Sequence, residues 1–300
     1  MPDDDNDAAG LSDDGTMDDD YELIDAGDGA RLERFGTFVV DRPAPGAFST
    51  RRSPDRWAAA DLRFDRGRGW SGPALAEAEK GWTIHLWELT MELRPTAAGQ
   101  VGVYPEHTEH LSWLAGQVTE RRAAGEPVEV LHLFAATGLA SLAMAGWGAS
   151  VAHVDAARPT IAWARRNAER NGLADKPVRW IVDDAMAFAE RERRRGRRYS
   201  GIVLDPPTYG HGARAASTSW SMERDLAPLL QVCGTLLADD GFVLLTAHTE
   251  GIGPSELYDA LEDVVPPGRQ GSAGASDVEL HATSGAVLVL GAAATWDGRG

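Results

Sequence analysis

The sequence predicts an α/β fold: a mostly parallel sheet covered by helices on both faces, closed by a C-terminal antiparallel hairpin and preceded by a small β-rich N-terminal extension. Three observations predict it. From residue 105 onward, short apolar runs alternate with helical patterns in strict order, as in a parallel sheet buried on both faces. The last two apolar runs, 278–282 and 286–290, are separated only by Thr283-Ser284-Gly285, too little chain for a parallel crossover, so they form a hairpin. Residues 21–100 hold turns and short extended pieces without that alternation.

Taken in order, residues 1–20 hold nine Asp and no Lys or Arg, the composition of a solvated, disordered tail. Residues 21–104 form the β-rich region. Asp28-Gly29 lies between extended runs at 21–24 and 32–40, a hairpin signal. A second hairpin is expected between 91–93 and 101–104, around a turn at 96–99. Trp57, Trp70, Trp82 and Trp87 crowd this region. They read as the core of the β unit; the other reading is a stacking surface for a base. Residues 105–300 carry the α/β pattern. A helix is expected over 107–122, a strand over 128–134, a helix over 139–147 and a strand over 151–155. Pro159 opens and Gly172 closes a helix over 160–171. A strand at 178–182, a helix at 185–195, a strand at 199–204, a helix at 223–237 and a strand at 242–246 follow. A helix over 255–264 precedes the closing hairpin.

Composition removes several function classes. With 43% hydrophobic residues in 300, the chain can bury a sizeable core. No window reaches the roughly 18 uninterrupted apolar residues of a membrane span, and the acidic start lacks the apolar stretch of a signal peptide. The single cysteine, Cys233, excludes an intramolecular disulfide and a multi-cysteine zinc site. It falls in an apolar helix and reads as packing. No metal ligand set is read from the sequence, and a reducing, cytoplasmic setting fits. The net charge of −17 counts against broad electrostatic binding of nucleic acid. The local exception is Arg191 to Arg198. It reads as a charged helix end facing the negative pole of the dipole, or as a phosphate contact for RNA.

The chemistry is expected beyond the carboxyl ends of the strands, at four stations. The first is Phe134-Ala135-Ala136-Thr137-Gly138, a tight strand-to-helix turn with one glycine, where Gly138 lets a ligand approach the backbone. A dinucleotide phosphate cradle would want more glycines. The second is Asp155, whose carboxylate at a strand end suits two ribose hydroxyls, or caps the next helix. The third is Asp183-Asp184-Ala185: Asp184 is placed to accept from an adenine amino group, Ala185 to donate its amide, and Asp183 to do the same or cap a helix. The fourth is Asp205-Pro206-Pro207-Thr208-Tyr209. The prolines fix φ and give up amide donors, and each forces an extended residue before it. The result is a rigid wall whose carboxylate and carbonyls face a planar, nucleophile-bearing group. His211 is a candidate proton acceptor or a bystander, and Trp220 a lid residue or helix-entry packing.

These stations, in this order, resemble the Rossmann-like class I S-adenosylmethionine-dependent methyltransferases. More narrowly, they resemble the group of bacterial 23S ribosomal RNA large-subunit methyltransferases. The segments that carry the resemblance are 130–138, Val154-Asp155, Asp183-Asp184-Ala185 and Leu204-Asp205-Pro206-Pro207. Gly102-Val103-Tyr104-Pro105-Glu106-His107 resembles the group's loop beside the methionine part of the cofactor, which implies a cofactor role for Glu106. The resemblance implies S-adenosyl-L-methionine as cofactor and methyl transfer to a nitrogen of an RNA base. Asp205, Pro206, Pro207 and Tyr209 would then hold the acceptor. A small-molecule or protein acceptor is the second reading, and a non-catalytic cofactor-binding scaffold the third. The sequence departs from the group at Ala136, where an aromatic is usual, and at Thr108, where an arginine is usual. Cys233 does not match the nucleophile of cytosine-C5 enzymes.

Overall fold

The structure is a computed structural model and describes residues 20–210, 220–265 and 268–300. The acidic tail and His211 lie outside the described residues. The chain begins with a hairpin, β1 (Tyr21–Gly27) and β2 (Ala30–Phe35), turning at Asp28-Gly29 as expected. The expected single run over 32–40 is two strands, because Gly36 takes a left-handed φ of 60° and reverses the chain into β3 (Phe38–Pro43). Helix α1 (Pro54–Ala58) leads to β4 (Leu62–Asp65) and β5 (Gly69–Ser71), completing a five-stranded sheet in sequence order.

A short helix, α2 (Leu75–Ala78), precedes a ribbon of β6 (Trp82–Leu86) and β7 (Leu89–Leu93). This corrects the second expected hairpin: Met91 and Leu93 pair backwards with Ile84 and Trp82, not forwards with 101–104. The segment 94–101 is a loop held by Arg94 N–H to the Val101 carbonyl (2.9 Å) and Thr96 N–H to Gln100 (2.9 Å). The tryptophans are packing residues, as the first reading had it. Trp57 is buried, and Trp70, Trp82 and Trp87 lie half-buried against the main core.

A 3-10 turn over Pro105–His110 leads into α3 (Leu111–Ala123). The alternation then runs β8 (Glu129–Leu133), α4 (Leu139–Gly146), β9 (Ser150–Asp155), α5 (Arg158–Arg170), β10 (Val178–Val182), α6 (Ala185–Arg194) and β11 (Tyr199–Leu204). Two-residue strands β12 (Tyr209–Gly210) and β13 (Trp220–Ser221) pair before α7 (Met222–Leu236), β14 (Leu237–Ala247) and α8 (Pro254–Val264). Strands β15 (Ser272–His281) and β16 (Val287–Asp297) close the chain. The seven-stranded order is β10-β9-β8-β11-β14-β16-β15, parallel up to β14 and antiparallel through the last two.

Strands covered on both faces read as unbroken apolar runs, and Val130, Leu131 and Leu133 of β8 are all buried. The sequence of strands reverses direction between β8 and β11, so the crevice for a ligand opens there. One apolar cluster runs without a break from Phe35, Ile84 and Met91 to Leu111, Val130, Leu142 and Phe242. The tip of the closing hairpin also returns to β1: Thr283 and Ser284 donate backbone N–H groups to Leu23 and Ile24 (2.9 and 3.1 Å). The Ser284 hydroxyl donates to Asp25 Oδ1 at 2.7 Å. Among the described residues, no helix is long and apolar enough to cross a membrane.

Candidate functional site

An open cleft of about 1660 Å³ lies over the carboxyl ends of β8, β9, β10 and β11. It brings together Phe134, Ala136, Asp155, Asp183, Asp184, Ala185, Asp205, Pro206, Pro207 and Glu106 from the predicted set. Ala135, Thr137 and Gly138 line a smaller cavity of about 50 Å³ behind the first turn. Tyr209 stands 78% exposed.

The first turn is tight because Phe134 and Ala136 both adopt left-handed φ values, 57° and 48°. Such conformations cost non-glycine residues free energy and persist where surrounding contacts enforce them. Here the Ala136 N–H donates to Asp155 Oδ2 (3.1 Å), and the Phe134 ring packs on Trp220 with centroids 4.9 Å apart. Gly138 has a packing reason beside the expected ligand approach. Its φ is 98°, and a Cβ there would sit 3.2 Å from the Ala164 Cβ of α5. The glycine lets α4 start and α5 pack closely.

Asp155 spends one lone pair on each carboxylate oxygen, accepting from Ala136 N and from Ala157 N (2.8 Å). Burial raises its carboxyl above the ordinary value, against those two amide hydrogen bonds. At the third station the helix cap is Asp184, whose side chain accepts from Ala187 N at 3.0 Å. Asp183 instead pairs with Arg191. The rest of the arginine run is also engaged. Arg193 and Arg194 meet Glu190, Arg195 meets Glu192, Arg197 meets Glu129, and Arg198 donates to the Leu237 carbonyl.

The wall after β11 is braced from behind. Trp220, 7% exposed, donates its indole N–H to the Pro207 carbonyl at 2.6 Å. It is packing rather than a lid, and it takes one of the two lone pairs of that carbonyl. The Asp205 carboxylate accepts from the Thr246 hydroxyl at 2.6 Å and lies 3.5 Å from His107 Nε2 and 3.4 Å from His248 Nε2. Burial alone would raise this carboxyl; the charges and hydrogen bond of the two imidazoles, with Thr246, hold it well below the usual carboxylate range. Burial likewise disfavours a charged His248, but the Asp205 hydrogen bond and charge push its pKa up to about 9. Cys233 is fully buried in α7, and burial pushes its thiol up to about 12, the state of an inert packing residue.

Several cleft residues were not singled out from the sequence. His248 sits just past β14, at a fifth strand end, and applying the strand-end rule once more would have found it. Arg31, Phe48 and Gln100 reach the cleft from the N-terminal elements, and no local pattern marks them. Arg31 is 5% exposed, and its Nη1 has no hydrogen-bond partner among the described residues. Glu106 is 4% exposed, with Oε2 in the same condition.

No protein-family model matches the chain. Over 93% of its length it is similar to the crystal structure of a SAM-dependent methyltransferase from Agrobacterium tumefaciens, with 34% identity, a TM-score of 0.86 and 90% of that protein covered. A putative SAM-dependent methyltransferase from Streptococcus mutans shares the fold at 17% identity and a TM-score of 0.73, with 93% of this chain and 75% of that one covered. Part of the chain is similar to a ribosomal RNA large subunit methyltransferase K/L of Methylococcus capsulatus. The identity is 36% over 119 residues, 39% of this chain and 16% of that protein. The corresponding protein of Syntrophotalea carbinolica is 30% identical over 126 residues, 42% of this chain and 17% of that one. The chain therefore matches only about a sixth of the length of these curated relatives.

Proposed function

The chain belongs to the S-adenosylmethionine-dependent methyltransferases, and from that premise we propose that it methylates a nitrogen of an RNA base held against Asp205-Pro206-Pro207. The observation that carries this reading is the size and lining of the cleft. At about 1660 Å³ it exceeds the roughly 300–1,000 Å³ of a site for one small ligand, so it has room for a planar acceptor beside the cofactor. Phe48 and Tyr209 line or flank it, 91% and 78% exposed, in position to stack on a base.

The residues fit the cofactor. On the same cleft Glu106 Oε2 and Arg31 Nη1 are buried without a hydrogen-bond partner among the described residues, while Arg31 Nε lies 3.3 Å from Glu33. Buried polar groups without partners are costly, and a zwitterionic amino-acid group satisfies both. Glu106 would take the ammonium, Arg31 the carboxylate, Asp155 the ribose hydroxyls, and the Asp183–Ala185 turn the adenine. The chemistry supplied by the bound cofactor is an electrophilic methyl group on a sulfonium. The chain's own task is alignment and exclusion of water. Asp205, ionised throughout the physiological range, accepts from an amino or imino N–H of the acceptor and turns its lone pair inward. The two prolines keep that wall from yielding, and Trp220 braces it from behind.

A second reading, a small planar acceptor, is favoured by the arginine run, whose members are paired and offer no track for phosphates. The reduced, buried Cys233 suits a cytoplasmic setting under either reading. The deciding experiment follows labelled methyl groups from S-adenosylmethionine into separated RNA, protein and small-molecule fractions of cells lacking the protein. Label in RNA is expected; label confined to the small-molecule fraction establishes the second reading. Asp155→Ala should weaken cofactor binding. Asp205→Ala should abolish transfer and leave that binding largely intact, read by calorimetry with adenosylhomocysteine.

A further inference from the structure

We propose that His107, Asp205 and His248 form a binding site for a divalent transition-metal ion of the zinc class on the wall of the cleft. One ligand atom from each of the three residues lies within 4.8 Å of the other two. The two imidazole Nε2 atoms are 3.0 Å apart, and each faces its own carboxylate oxygen, His248 at 3.4 Å from Asp205 Oδ1 and His107 at 3.5 Å from Asp205 Oδ2. Ligands held about 2.0–2.1 Å from a tetrahedral zinc ion are separated by roughly 3.3–3.4 Å. No other group of three such side chains with converging ligand atoms is found among the described residues.

The hydrogen-bond geometry of His248 leaves Nε2 as its ligand atom. The Leu290 carbonyl can only accept, so the 2.9 Å contact with His248 Nδ1 requires a hydrogen on that nitrogen. In the neutral ring the Nε2 lone pair then faces Asp205 and His107. With its second ring proton displaced, His248 and the His107 Nε2 face the carboxylate across a common space that a cation can occupy. A proton serves one pair at a time. Both imidazole–carboxylate separations are longer than the roughly 2.7–2.9 Å of a tight charge-assisted hydrogen bond, whereas one metal ion reaches both imidazoles and the carboxylate together.

The ligands are also held as metal ligands are, by a second layer of contacts. His248 is oriented by the Leu290 carbonyl and Asp205 by the Thr246 hydroxyl. The His107 ring stacks on Tyr104, with centroids 5.7 Å apart at 23°. Two imidazoles and one carboxylate suit zinc, cobalt, iron(II) or manganese better than magnesium or calcium, which prefer oxygen-rich sites. Asp205 and His248 line the cleft, so the remaining coordination position opens towards the acceptor. The site stands whether the acceptor is RNA or a small molecule, because its test requires no methyl transfer.

Full-length protein stripped with chelator is titrated with Co²⁺, followed by visible absorption, and with Zn²⁺, followed by calorimetry. One saturable equivalent is expected, with tetrahedral-type cobalt bands that zinc abolishes. His107→Ala and His248→Ala should each weaken Zn²⁺ binding by at least the roughly 100-fold that marks the upper end for lost supporting contacts, and Thr246→Val by about 10–100-fold. Unfolding midpoints of the variants in chelator, equal to that of the parent, show that lost binding is not lost folding. Absence of saturable binding in the parent overturns the proposal, as does equal affinity in parent and histidine variants.

Discussion

Arg31 and Glu106 are the residues whose removal should be felt most directly by the cofactor. Each brings to the cleft a buried polar atom without a hydrogen-bond partner among the described residues, and a charge-assisted hydrogen bond contributes about 1.5–3 kcal/mol. Arg31→Met or Glu106→Gln should therefore raise the dissociation constant of adenosylhomocysteine by roughly 10–100-fold, measured by calorimetry. Arg42 still pairs with Glu33 when Arg31 is replaced, so the fold should survive. A second residue-level expectation concerns the core behind the first turn. The Ser141 hydroxyl bridges His132 Nδ1 (2.7 Å) and His153 Nδ1 (2.8 Å) in full burial. Burial lowers His132 to about 4 and His153 well below its ordinary value of 6.5. In the unfolded chain both take up protons as pH falls through 6.5; folded, they resist. Stability should thus be unaffected by these groups above pH 6.5 and fall as pH drops from 6.5 to about 4. His132 alone would account for about 3 kcal/mol. Urea unfolding at pH 7, 5.5 and 4.5 checks this, and His132→Gln should flatten the slope.

At the scale of elements, β11 carries the wall and depends on a glycine. A Cβ on Gly201 would stand 2.1 Å from the Phe242 ring. That ring is fully buried, edge-on to Trp113 at 5.8 Å and under the Arg121 guanidinium at 5.0 Å. It cannot yield without disturbing both neighbours. Gly201→Ala should cost about 1–3 kcal/mol, the ordinary cost of overpacking, read as a lower urea midpoint with an unchanged slope. The elements also show where sequence was informative. Strands β10 and β11 fall at the expected residues because Val, Ile, Leu and Trp favour a strand, whether central and buried as β11 or half-buried at the sheet edge as β10. The closing strands are longer than expected at the ends away from their turn: Ser272–Asp277 and Gly291–Trp296 are dominated by Ala, Gly and Ser, which carry little strand propensity and pair only because the hairpin register imposes it. The β6–β7 ribbon was missed because its turn is Trp87-Glu88, where Trp87 takes a φ of 56° that its residue type does not advertise. The four predicted stations were legible because strand ends are local. Arg31 was not, because only the tertiary fold brings it to the cleft, whereas His248 lies at a fifth strand end and carries the same local signal.

For the whole molecule, the tie between the early ribbon and the parallel sheet is Glu92. Its carboxylate meets Arg94, Arg166 and Arg170 (2.7, 3.0 and 3.3 Å), and its backbone accepts from the Trp163 indole at 2.9 Å. Burial alone would raise this carboxyl, but hydrogen bonds and charge from Arg166 and Arg94 bring it down to about 2. The three arginines are 41–45% exposed, so solvent screening reduces the gain. Glu92→Gln should cost about 1–2 kcal/mol at pH 7. The difference should be full above the ordinary carboxyl value of 4.5 and fade as pH falls through about 2, as urea titrations at pH 7 and pH 3 would show.

The return of the closing hairpin to β1 has a consequence for biosynthesis. The turn at Thr283-Ser284 holds the first strand's backbone, and Ala282, Ala286 and Leu288 share an apolar cluster with Leu23, Ala26, Ala44 and Ala47. At about 5–20 residues per second, the ribosome delivers residue 23 on the order of ten to fifty seconds before residue 283. Through that interval the nascent chain presents the underside of its first sheet uncovered, and a chaperone that shields it must let go only when the last turn emerges.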